Sequence, residues 1–88
     1  MSTPIIVCGS TLGIDRYLAT DAQAEIVKVG LINYGFLLKR NDLQARRVSF
    51  ANFADCIEAN CDLTTPQTAE VVKTLREVHQ LQEQSPAI

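Results

Sequence analysis

The chain is poor in the side chains that most chemistry needs. It has one histidine, His79, in 88 residues. His79 falls on the flank of an expected C-terminal helix, beside Val72 rather than among carboxylates or cysteines. Neither metal binding nor acid–base chemistry is therefore expected of it. The three cysteines, Cys8, Cys56 and Cys61, are an odd set with no C-x-x-C spacing, which excludes a secreted disulfide framework. Cys56 and Cys61 lie about 140° apart round a helix. Cys61 belongs to an apolar stripe and reads as a small core residue. Cys56 sits at the stripe's edge, with no flanking positive charge to activate it. The start, MSTPIIVCGS, lacks the basic segment and the apolar length of a signal peptide. A reducing cytoplasm is the expected location.

Positive charge is scarce as well. The net charge of −2 argues against bulk electrostatic binding to nucleic acid, although a local patch escapes that argument. No membrane span is expected, because a span needs about 20 mostly apolar residues and Lys28 and Asn33 interrupt the most apolar stretch. There is no internal repeat and no low-complexity tract. No catalytic motif, metal site or cofactor is expected, and the chain reads as a non-enzyme.

What is present is an apolar content of 47%, ordinary for a globular protein. The long stretch Thr20–Arg40, TDAQAEIVKVGLINYGFLLKR, looks like the element around which the rest packs. Thr20 is a good N-cap and Gln23 completes a capping box. Asp21 and Glu25 lie at the positive end of the helix dipole, and Lys39 and Arg40 at the negative end. Asp21, Glu25, Lys28 and Lys39 share one narrow face. Ile26, Val27, Val29, Leu31, Tyr34, Leu37 and Leu38 cover most of the remainder, which predicts a helix buried on several sides. The competing reading is a β-hairpin at about 25–39, turning at Asn33-Tyr34-Gly35, since Gly30 and Gly35 each cost a helix roughly 1 kcal/mol.

Before this stretch, Pro4–Gly9 reads as a short strand or extended arm. Gly9–Gly13, GSTLG, has a faint likeness to a phosphate-loop turn, without the following Lys-Ser/Thr or room for a parallel sheet. Ile14–Leu18 reads as a helical turn. After it, Asn41 is an acceptable left-handed stop, and Leu43–Val48 is either linker or the first turns of the next helix. Ser49 caps a helix to Asn60 with Phe50, Phe53, Ala54, Ile57 and Cys61 as its stripe. Thr65-Pro66 opens a last helix with Val71, Val72, Leu75, Val78 and Leu81 facing inward, and residues 82–88 are expected to fray.

These elements predict a mainly α chain: a three-helix single domain over 1–88, with an N-terminal arm (1–19), a helical core (20–81) and a tail (82–88). Its expected core is Val27, Leu31, Tyr34, Leu38, Phe50, Phe53, Ile57, Val71, Leu75 and Val78. Lys39, Arg40, Arg46 and Arg47 are half of all eight Lys and Arg. They read either as a helix end and solvated loop or as a partner-binding patch for an acidic protein surface. Asp42 weakens the cluster, and no aromatic is interleaved for base stacking.

The order of a long apolar helix, NYGFLLKRNDL before the second helix and IEANCD before the third resembles the small enterobacterial regulators of biofilm formation and acid resistance, the YmgB type of two-component connector. The resemblance covers about residues 22–80; PIIVCGSTLG and Arg46-Arg47 depart from it. It implies a dimeric regulator that binds other proteins and DNA, and it transfers no site residue. The expected function is a small non-catalytic regulatory or adaptor protein acting by protein–protein interaction. A DNA-binding transcriptional regulator is second and a thiol-dependent enzyme third. A homodimer is expected, because so small a core leaves apolar stripe uncovered.

Overall fold

The computed structural model describes residues 3–43 and 48–84. Two strands, β1 (Ile5–Thr11) and β2 (Ile14–Ala19), precede three helices: α1 (Asp21–Arg40), α2 (Phe50–Asn60) and α3 (Pro66–Gln84). The fold is mainly α with a small antiparallel hairpin at its N-terminus.

The stretch 25–39 is helix, and the hairpin considered for it does not form. Its caps decide this. Thr20 Oγ1 accepts from Gln23 N at 3.2 Å, and Gln23 Oε1 accepts from Thr20 N at 2.9 Å. At the other end Asp42, not Asn41, takes the left-handed conformation, with φ 58°. Asp42 N donates to Lys39 O and Leu43 N to Leu38 O, the two bonds of a Schellman stop. Asn41 sits one residue earlier and turns its amide on Leu37 O at 2.9 Å.

The hairpin lies at the N-terminus instead. Ile14–Leu18 is strand, not a helical turn, paired with β1 in the register Ile5↔Ala19, Ile6↔Leu18, Val7↔Tyr17. GSTLG forms its bulge and turn. Leu12 and Gly13 both have positive φ, 55° and 75°, as a two-residue turn matched to strand twist requires. Leucine is costly in that conformation. Burial of its side chain, 5% exposed in the main core, offsets the cost. Tyr17 anchors β2, its ring centroid 5.0 Å from that of Phe50.

α3 rather than α1 is the hub, packed by α2, α1 and β2. Its buried positions are Thr68, Val71, Val72, Thr74, Leu75 and Val78, and the four apolar ones share one cluster with Phe53, Ile57, Leu37 and Val27. α1 can lie close because Gly30 has no side chain. A Cβ there would stand 2.9 Å from Val71 Cγ1 and 4.0 Å from the Phe53 ring. Leu31 and Tyr34 are only half-buried; the Tyr34 hydroxyl reaches Thr68 Oγ1 at 2.5 Å. α1 is not buried on several sides. Only Val27, Gly30, Leu37 and Leu38 are buried.

Residues 82–84 belong to α3, and Gln82 has a structural task. Its Oε1 accepts from Leu18 N at 2.8 Å, while its Nε2 donates to Leu18 O and to Val78 O, each at 2.7 Å. The carboxamide thus stands in for a neighbouring strand along the free edge of β2 and ties the two ends of the chain together. Replacing it with leucine removes both partners of Leu18. Each bond has a net worth of about 1 kcal/mol and more when a buried group is left unpaired. Gln82→Leu is expected to lower stability by about 2 kcal/mol and to speed amide exchange at Leu18 before the helices open; hydrogen exchange with and without denaturant measures both.

Candidate interaction surface

α1 carries the residues to which the sequence pointed. Lys39 and Arg40 are exposed in its last turn, where the free carbonyls of the helix end favour cations. The Arg40 guanidinium carbon lies 5.3 Å from the Phe36 ring centroid, within cation–π range. Arg46 and Arg47 lie outside the described residues, as do residues 44–45, so that most of the stretch Leu43–Val48 is not described, and residues 85–88. The structure therefore brings Lys39 and Arg40 together and places neither of the other two.

Beside Arg40 a groove of about 530 Å³ opens between the end of α1 and α2, lined by Asn41, Leu43, Val48, Asn52, Cys56 and Asn60 among others. Cys56 is half-buried on its wall. Burial pushes its thiol pKa up, and the neighbouring Cys61 adds to this; Arg40 and a hydrogen bond from Asn60 pull it down, without reversing the shift. A thiol held protonated is a poor nucleophile. Cys61 ends α2 as its C-cap and is half-buried, not a core residue. All three cysteines are free.

His79 does meet a carboxylate. Its Nε2 lies 3.3 Å from Glu83 Oε1, one turn along α3. The i,i+4 spacing was legible in the sequence. The pair is surface-exposed on the Glu83 side and has no third member among the described residues. Among the described residues no group of three or more His, Cys, Asp or Glu is arranged to hold a metal ion, and no described helix is long and apolar enough to cross a membrane. Arg76 bridges α2 and α3 by reaching Asp55 at 3.0 Å and Glu58, a partly exposed pair of contacts worth at most about 1 kcal/mol.

The residues that the sequence reading missed are Ile32 and Phe36, 75% and 56% exposed. They stand on the solvent face of α1, within the charged row of Glu25, Lys28 and Lys39. Apolar residues distributed all round the helix hid them. The available signal was the spacing: Glu25, Ile32 and Lys39 are each seven apart, hence in one row along the helix.

Against protein-family models, curated proteins and solved structures, the chain finds no match.

The Cys56 shift has a pH consequence. A thiol pKa raised by folding gives stability that is full below the ordinary thiol value and lost as pH rises through the folded value. Stability is therefore expected to fall at alkaline pH, and less steeply in Cys56→Ala. Alkylation of Cys56 in the folded chain should need higher pH than in the unfolded chain, and Arg40→Glu should move it higher still. Mass spectrometry of iodoacetamide-labelled peptides across pH reads all of these.

Proposed function

We propose that this chain is a small non-catalytic regulatory or adaptor protein of the cytoplasm that acts by binding other proteins and itself forms a homodimer. The observation that carries the reading is the solvent face of α1, where two large apolar side chains lie exposed next to a basic helix end. Isolated apolar residues on a surface need no explanation, but a contiguous pair rimmed by charge marks a contact surface. The basic end, Lys39 and Arg40 with Arg46 and Arg47 following in sequence, is the part offered to an acidic protein. In a chain of net charge −2 that field is screened beyond about 8 Å at physiological salt. It orients a partner at contact and does not gather polyanion from a distance. A relation to the YmgB-type regulators is proposed on layout: three helices in that order, with Asn41-Asp42-Leu43 as the first helix's stop.

The test is affinity capture with the wild-type chain and with Arg40→Glu/Arg46→Glu/Arg47→Glu, read beside a titration of labelled duplex DNA at physiological salt. Acidic protein partners retained by the wild type and lost by the triple variant, at unchanged helical circular dichroism, are the expected result. Tight sequence-specific DNA binding would reverse the ranking in favour of a DNA-binding regulator. Partner capture that ignores the charge reversal would return the cluster to a solvated helix end.

A further inference from the structure

The solvent face of α1 is complementary to itself. Its row begins with an acid, Glu25, centres on the exposed Ile32 and ends with a base, Lys39. We infer that two copies of the chain pair through this face, with their α1 helices antiparallel about a twofold axis near Ile32. This rests on the homodimer in the reading above and names its surface.

In that arrangement each Glu25 lies opposite Lys39 of the second copy, and the contact occurs twice. Ile32 meets its own equivalent on the axis, as an isologous contact requires. Phe36 faces Val29 of the second copy, one edge of the strip, and the aliphatic stem of Lys28 passes over Gly35 on the other. Arg40, over Phe36, stays at the rim with the basic end. Parallel pairing would instead set Glu25 against Glu25 and Lys39 against Lys39. Antiparallel helices also oppose their dipoles favourably.

Gly35 supplies an independent observation. Gly30 has an internal reason to be glycine, since a Cβ there would press on Val71. At Gly35 a Cβ would meet nothing within 4 Å, and no positive φ demands glycine. A mid-helix glycine costs roughly 1 kcal/mol against alanine, and nothing among the described residues requires that cost. Close approach by a second chain does require it. The face spans the fifteen residues from Glu25 to Lys39, about 21 Å of helix. It is small by the standard of stable interfaces, about 800 Å² per partner, so the dimer belongs in the micromolar range. The exposed Ile5 and Ile6 of β1 are a second apolar site, but as adjacent strand residues they point to opposite faces and form no single apolar strip.

Sedimentation equilibrium and thermal melting of the full chain test this with five variants. Phe36→Glu should weaken the dimer about a hundredfold. Glu25→Lys and Lys39→Glu should each weaken it about tenfold or more, since every end then carries like charges. Their equimolar mixture should restore it, because position 25 of one variant meets opposite charge at position 39 of the other in both places. Gly35→Ala should raise the melting temperature of the dilute monomer while weakening the dimer, whereas Gly30→Ala should lower the melting temperature. A wild-type chain that stays monomeric at high concentration would overturn both the dimer and this surface. A dimer indifferent to Phe36→Glu, or broken only by charge at Ile5 and Ile6, would overturn the surface alone. A dimer that neither charge variant weakens would overturn the antiparallel register.

Discussion

The close approach of α1 to α3 at Gly30 is the constraint on which the other elements depend. α3 is packed by α2, by β2 and by α1, and a helix surrounded in this way has little surface left for adjustment. With hydrogen alone at position 30, the α1 backbone comes down on Val71, which is buried and stiff. That contact brings Val27, Leu37 and Leu38 into the cluster with Phe53 and Leu75. It also fixes which side of α1 faces out. The face carrying Ile32, Phe36, Glu25 and Lys39 is what remains once Gly30 has set the opposite side against α3.

The hairpin depends on the same frame. Two strands alone are marginal in water, and among the described residues no third strand joins this pair. The Gln82 carboxamide takes the place of one at Leu18, while Tyr17 packs on Phe50 and Leu12 enters the core through a left-handed turn. A strand edge satisfied by a side chain of the last helix couples the N-terminal fifteen or so residues to the C-terminal ones. Local opening of the hairpin and fraying of α3 are then one event, not two.

The helices were legible because their signals are local. Thr20 with Gln23, Ser49 and Thr65-Pro66 mark starts that backbone hydrogen bonding alone would accept. The hairpin was not, because its turn, Leu12-Gly13, lacks the Asn-Gly or Asp-Gly that normally announces one. Its stability lies in contacts more than sixty residues away in sequence. Gln82 looked like part of a polar tail for the same reason. The site was half legible: Lys39 and Arg40 stood out by charge, but Ile32 and Phe36 were lost among apolar neighbours. Telling the inner from the outer apolar residues of α1 required knowing that Gly30 marks the inner side, and glycine reads equally well as a helix breaker.

We propose that the outward face of α1 is covered by another copy of the same face. Amide chemical shifts followed on dilution test it most directly, residue by residue and without substitution. The account predicts concentration-dependent shifts from Glu25 to Lys39, largest at Ile32, Gly35 and Phe36, with α2 and α3 still. Shifts confined to Ile5 and Ile6, or none up to millimolar concentration, would contradict it.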